Sequence, residues 1–340
     1  MFGRRKKRSG FLPFVIFRLF LSLLMFGILL AGVYTAYKHF SGIDPISANP
    51  KAIFAGLLSS GNFDSLLKYI PVDFKKKQQI VYQSQTPDTA SKKEVKSVQI
   101  NHGKTIFSFA LIADVHNDNV LLKKALEQIQ DVSFIIGLGD YSDVGTIEEL
   151  KNTKKTLDES KVRYFVIPGD HDLWDSRDKQ KEPTFNFSQV FGSPWQSFEQ
   201  QGVVFLLLDN SDNYKGFGDI QIQRLQEELE RYKKSNNVRF ILAFVHEPLY
   251  HPSSDHIMGR VEPSLKDQAK KLTKMLKEGG VKKVFAGDIH FFSQYDDPET
   301  GLAMVTVGAV TTQRNPQLPR FAKVQVFEDG STEVEDIEIK

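Results

Sequence analysis

The chain has no cysteine in 340 residues. That absence excludes disulfide stapling, thiol nucleophiles, iron–sulfur clusters and cysteine-built zinc sites, so any metal must sit on His, Asp or Glu. Net charge is almost absent too, at +2, which speaks against a nucleic-acid partner. The small total hides a division. Residues 1–18 hold Arg4, Arg5, Lys6, Lys7, Arg8 and Arg18 and no acid, a local +6 that leaves about −4 for residues 19–340. What is present, 41% hydrophobic and 25% charged residues, is ordinary for a folded chain and enough for a sizeable core.

The basic end is followed by 19 residues without a charge, Leu19–Tyr37. As a helix this stretch spans about 28 Å, close to the hydrocarbon thickness of a bilayer. The sequence therefore predicts a basic cytoplasmic tail over 1–18 and a single transmembrane helix over 19–37. Everything beyond Tyr37 is then extracytoplasmic, because positive residues stay inside. A cleaved signal peptide is the alternative, although Tyr34-Thr35-Ala36 places a bulky residue where cleavage wants a small one. Residues 38–100 read as a juxtamembrane spacer, with short helical patterns at Ala52–Leu58 and Phe63–Ile70 stopped by Pro71, then a polar, lysine-rich stretch.

From about residue 101 short apolar runs alternate with amphipathic ones. Strands are predicted at Thr105–Ala113, Ser133–Leu138, Val162–Ile167, Val203–Leu208, Arg239–Val245, Lys283–Ala286, Ala303–Val310, Phe321–Val326 and Thr332–Ile339. Helices are predicted at Val120–Ile129, Ile147–Glu159, Ile220–Lys234 and Leu265–Glu278. Strand–helix alternation closing on consecutive strands implies an α/β layered domain over 101–340 with an antiparallel addition. In such folds ligands gather beyond the carboxyl ends of the strands.

Five polar clusters sit at those ends: Asp114-Val115-His116, Gly139-Asp140-Tyr141-Ser142-Asp143, Gly169-Asp170-His171-Asp172, His246-Glu247-Pro248 and Gly287-Asp288-Ile289-His290. They contain four of the eight histidines, although residues 101–340 are mostly something else. Parallel strands would carry the first three clusters to one edge, where carboxylate and imidazole suit hard or borderline divalent metals.

The order Asp-X-His, Gly-Asp-X-X-Asp, Gly-Asp-His-Asp, His, Gly-Asp-X-His over residues 105–310 resembles the calcineurin-like metallophosphoesterases. The resemblance implies a two-sheet sandwich flanked by helices and a centre of two divalent ions. By position, Asp114, His116 and His290 would hold the first ion, Asp140 would bridge, and Asp170, His246 and Asp288 would hold the second. A metal-bridged hydroxide would attack phosphorus. His171 would contact the phosphoryl group and protonate the leaving oxygen, Asp172 would orient His171, and Asp143 would support a ligand from behind. Two positions depart from the family: Asp170 stands where Asn is usual and Asp288 where His is usual. The second site is thereby oxygen-rich, which favours Mn or Fe, with Mg ahead of Zn, and implies either a substrate of low charge at phosphorus such as a diester or a trivalent first metal.

Outside the motifs, His251, Asp255 and His256 share a Pro/Ser loop that either lines the substrate pocket or is an ordinary polar loop, and Arg314 is either a phosphate contact or a solvated surface arginine. Glu247 falls either beside the ligands or on the surface. Trp174 and Trp195 bound a long segment placed to pack or to act as a lid. The whole reads as a membrane-anchored phosphoesterase acting on a lipid-linked or extracellular nucleotide phosphoester. The alternative is a non-catalytic or single-metal anchored scaffold on the same fold, against which an intact His171 and Asp172 argue.

Overall fold

The computed structural model describes residues 103–340, together with positions 25, 26, 32 and 35. The expected tail over 1–18 and spacer over 38–100 lie outside the described residues, as does the expected membrane span over 19–37 apart from those four positions. Among the described residues no helix is long and apolar enough to cross a membrane.

The catalytic region is a mixed α/β fold built on two sheets. The first runs β11-β10-β1-β2-β3, with β1 Thr105–Ile112, β2 Ile135–Gly137, β3 Tyr164–Val166, β10 Arg320–Phe327 and β11 Thr332–Glu338. The second runs β4-β5-β6-β7-β9-β8, with β4 Gln196–Gln200, β5 Val203–Leu207, β6 Phe240–Val245, β7 Val281–Ala286, β8 Ser293–Asp296 and β9 Ala303–Thr306. β1, β2 and β3 pair in parallel, as do β5, β6, β7 and β9, while β10, β11, β4 and β8 join antiparallel.

Period-two alternation explains the layering. In β1, Phe107, Phe109 and Leu111 join one core with Phe205, Phe244 and Phe285 of the second sheet, while Ala110 and Ile112 join another. The rings interlock: Phe109 meets Phe205 edge-on at 5.3 Å, and Phe244 stacks on Phe285 at 5.2 Å. Each buried ring contributes about 1.5–3 kcal/mol. The outer face of the first sheet is covered by α1 Asn119–Gln128, α2 Ile147–Glu159 and α4 Phe185–Phe191, which follows the short α3 Trp174–Asp178. The second is covered by α5 Asp219–Lys233 and α6 Leu265–Glu278. The four expected helices form within one residue of their expected bounds, α2 starting on a capping box of Thr146 and Glu149.

Two strands escape the sequence reading. β4 and β8 are the edges of the second sheet and carry Gln-Ser-Phe-Glu-Gln and Ser-Gln-Tyr-Asp, since an edge strand is half solvated. The expected strand over Ala303–Val310 ends early, at Thr306. The chain then crosses to the first sheet, where Val310 and Thr311 donate to the carbonyls of Ala113 and Asp114. The segment between Trp174 and Trp195 is also no open loop, because α3 and α4 occupy much of it.

Candidate metal centre

The strand ends turn sharply and place their polar residues in one hollow. Asp114, His116, Asp140, Asp288 and His290 all have positive φ, between 45° and 66°, in the left-handed region that non-glycine residues seldom occupy. The turn after β1 is held by the Asp140 carbonyl, which accepts from the amides of Val115 (2.8 Å) and His116 (3.0 Å). Two glycines allow the close approach. A Cβ on Gly169 would stand 2.1 Å from Asp140 Oδ1, and one on Gly139, at φ +101°, would meet Gly169 N and His246 Nδ1, each at 2.6 Å.

Two groups of donors result. Asp114, His116, Asp140 and His290 each offer an atom within 4.8 Å of the others, and so do Asp140, Asp170 and His246. Asp140 belongs to both, and turns one oxygen to each: Oδ2 lies 3.5 Å from His116 Nε2 and Oδ1 lies 3.5 Å from His246 Nε2. Asp288 stands at the margin, its Oδ1 3.9 Å from His246 Nε2, with its amide donating to Asp114 Oδ1 (3.1 Å).

The rings are oriented from behind. His246 Nδ1 lies 2.7 Å from the Leu138 carbonyl and His290 Nδ1 lies 3.0 Å from the Gln313 carbonyl. A carbonyl only accepts, so each Nδ1 carries a proton and each Nε2 is the nitrogen left facing the centre. His116 Nδ1 is 3.7 Å from Asp143 Oδ1, and its Nε2 lies 3.3 Å from that of His290. Asp143 thus stands behind His116, as its position in the motif suggests.

This arrangement is costly without a cation. Asp114 Oδ2 and His246 Nε2 are buried and without a hydrogen-bond partner. Burial pushes the Asp114 and Asp140 carboxyls well up, and neighbouring carboxylates add to it. Burial likewise holds His116 down to about 2 and His290 down to about 3, so both stay neutral and ligating. For His246 burial acts downward, but the surrounding aspartates outweigh it and hold the ring well above its ordinary value. The orphaned His246 Nε2, with carboxylate oxygens of Asp140, Asp170 and Asp288 at 3.5–3.9 Å, fits a divalent cation.

Beside the centre lies a cavity of about 500 Å³ whose wall includes His171, Trp174, Asn213, Glu247, Arg260 and Arg314. Trp174 stacks on His171 at 3.9 Å, and Arg314 Nη1 lies 3.3 Å from His171 Nε2. Arg314 is therefore brought to the site. His251 is not: its Nδ1 accepts from the amides of Ser253 (3.2 Å) and Ser254 (2.9 Å), and its Nε2 lies 2.9 Å from Ser293 Oγ. Both nitrogens are consumed in bracing the loop, and the ring packs on Phe291 and Tyr295.

Asp172 also differs from its expected role. Its Oδ1 accepts from Ser142 N (3.0 Å) and Ser142 Oγ (2.7 Å), and its Oδ2 accepts from Gly169 N (2.9 Å). It ties the loops after β2 and β3 together. His171 is oriented by the Asp143 carbonyl.

Glu247 resolves toward the interior. It is buried, and its Oε2 has no hydrogen-bond partner. Asn213 and Arg260 were not legible as site residues. Asn213 donates to Asp170 Oδ2 at 3.0 Å from the loop after β5. That loop is as polar as the other strand ends but holds no histidine to mark it.

A family model described as Calcineurin-like phosphoesterase matches residues 107–292, more than half of the chain. A curated relative from Arcobacter nitrofigilis, named "Probable glycerophosphodiester phosphodiesterase", is 27% identical over 117 residues, 34% of this chain and 41% of that protein. The chain thus matches less than half of that relative. Among solved structures, a dimetal phosphatase from Danio rerio aligns with a TM-score of 0.53 at 18% identity, over 70% of this chain and all of the other. A purple acid phosphatase from yellow lupin seeds aligns with a TM-score of 0.52 at 14% identity, over 70% of this chain and 52% of the other. Likeness at such identity concerns the fold, and it is the fold seen here. The family match and the paired donor groups support a dinuclear divalent metal centre. The chain belongs to the calcineurin-like phosphoesterase family.

Proposed function

We propose that the chain is a membrane-anchored phosphodiesterase whose catalytic domain faces outward from the cytoplasm. The observation that carries the catalytic part is Asp140, whose two oxygens face two separate donor groups. Asp114, His116 and His290 would hold one ion, Asp170, His246 and Asp288 the other, with Asp140 common to both. When bound, two divalent ions neutralise phosphoryl oxygens and lower the pKa of water. The carboxylate-rich second site supports Mn or Fe there.

The remaining work falls to side chains of the cavity. His171, held by the Asp143 carbonyl and the Trp174 ring, keeps Nε2 toward the cavity, where in its protonated form it delivers a proton to the leaving oxygen. Arg314, beside that nitrogen, pairs a phosphoryl oxygen. Four aspartates offset the charge of two divalent ions, so the loaded centre attracts a doubly charged phosphate less strongly, which favours a diester over a monoester. The name of the Arcobacter relative points the same way.

The anchor rests on the basic residues of 1–18 and the uncharged stretch 19–37. Such an address favours lipid-linked or extracellular nucleotide phosphoesters, and the acidic remainder disfavours nucleic acid. The purified chain with Mn²⁺ should cleave bis(p-nitrophenyl) phosphate faster than p-nitrophenyl phosphate, and His171→Ala should abolish turnover while metal content is kept. A strong monoester preference would sink the diester reading. Protease added to intact cells should digest the catalytic domain; full protection would reverse the topology.

A further inference from the structure

The donors gathered around His246 Nε2 are oxygens: Asp140 Oδ1 at 3.5 Å, Asp170 Oδ1 at 3.8 Å and Asp288 Oδ1 at 3.9 Å. Near the same Asp288 oxygen stands an imidazole from no strand-end motif. His256 Nδ1 lies 3.7 Å from Asp288 Oδ1, the spacing found between donors throughout the centre. His256 lines the cavity with Asp140, Asp170, Asp288 and His290. Its side chain is 33% exposed, so the ring has room to turn onto an ion.

The loop that carries His256 is built to hold it there. It follows β6 and is closed between Pro248 and Met258, whose amide donates to the Pro248 carbonyl at 2.9 Å. Met258 is fully buried beneath it. Inside, His251 accepts the amides of Ser253 and Ser254 and braces the loop on Ser293, while Ser254 Oγ accepts the His256 amide at 3.1 Å. These hydrogen bonds, together with that from Tyr295 Oη to the Tyr250 carbonyl at 2.7 Å, make little sense for an idle surface turn. They make sense if the ring at its tip must sit within reach of Asp288.

We propose that His256 is an additional ligand of the ion held by Asp140, Asp170, His246 and Asp288, a second nitrogen donor delivered by this loop, with His251 as its positioning residue. The inference rests on the two-ion reading of the centre. It gives that site two imidazoles, although the strand ends supply it with one. It also explains His251, a buried histidine that touches neither the cavity nor the other donors.

Mn²⁺ binding to the full-length chain tests it, by equilibrium dialysis with elemental analysis and by electron paramagnetic resonance of the coupled ion pair. Wild type should bind two ions. His256→Ala should leave the first ion's affinity unchanged, weaken the second by about tenfold or more, and replace the coupled spectrum by that of a single ion at limiting metal. His256→Asp distinguishes a ligand from a charge partner of Asp288, because an aspartate oxygen falls where Nδ1 stood. A ligand role predicts that Asp retains more of the second ion's affinity than Ala does. A charge-pair role predicts the reverse, since two carboxylates would then confront each other, and that result would overturn the proposal. Unchanged second-ion affinity in His256→Ala would overturn it as well, as would equal weakening of both ions. A wild type that binds one ion or none would overturn the two-ion reading itself, and the role of His256 with it.

Discussion

The Nδ1 of His171 lies 2.7 Å from the main-chain carbonyl of Asp143, so a peptide group fixes the tautomer of the ring. The neighbouring carboxylate of Asp172 is spent elsewhere, on Ser142 and Gly169. Its removal should therefore act on stability more than on proton transfer. Asp172→Ala leaves two buried amides and a hydroxyl without their acceptor and should cost about 3 kcal/mol. Denaturant unfolding would measure that loss. Turnover of the folded, metal-loaded variant should stay close to that of wild type; a loss as deep as in His171→Ala would show that Asp172 governs the ring after all.

Stability toward acid should depend on His251. Burial holds its folded-state pKa down to about 4 from 6.5. Between those values the unfolded chain binds a proton that the folded chain refuses, so stability falls as pH drops from 6.5 toward 4 and is undiminished above that window. The loss from this one group amounts to about 3 kcal/mol at pH 4. Unfolding measured across that window should show a flatter acid limb in His251→Gln than in wild type. An identical slope would mean that the ring is already charged in the folded loop.

Gly169→Ala offers a way to move one ligand without deleting any. The new methyl would stand 2.1 Å from Asp140 Oδ1 and 2.3 Å from the Asp140 backbone nitrogen, so the turn that carries Asp140 must shift to admit it. Since Asp140 faces both donor groups, metal titration of the folded fraction should show both ions weakened together. Loss of one ion alone would assign Asp140 to a single site.

Arg314 should report on substrate rather than on metal. It lines the cavity and lies against His171 Nε2, yet stands in neither donor group. Arg314→Ala should raise KM for a phosphodiester roughly 10–100-fold through the lost charge-assisted contact, with metal content unchanged. Arg314→Lys should recover part of the loss, as a point charge replaces a fork. Steady-state kinetics beside elemental analysis separates the two effects.

Much of this site was legible because its chemistry is written at strand ends. Asp114, His116, Asp140, Asp170, His246, Asp288 and His290 follow apolar runs whose period and length define the sheets. What escaped lacks that marking. Asn213 and Arg260 sit in loops, where the backbone path decides what a side chain meets. Asp172 could be placed beside His171 by adjacency in sequence, but a one-residue step around a 3-10 turn sends the two side chains apart. His251 looked like a substrate contact because a polar loop residue near a motif gives no sign of being buried. β4 and β8 were hidden for the opposite reason, since edge strands need not be apolar.

The centre lies on the seam between the two sheets. Asp114, His116, Asp140 and Asp170 hang from the first, while His246, Asp288 and His290 hang from the second, and Asp114 and Asp288 are 174 positions apart in the chain. In polymer terms, ions held there are a crosslink that closes a very long loop and strips entropy from the unfolded chain. A cysteine-free protein would thereby acquire the equivalent of a disulfide, opened by chelation where a disulfide is opened by reduction. The lifetime of the folded sandwich then becomes a function of free metal concentration.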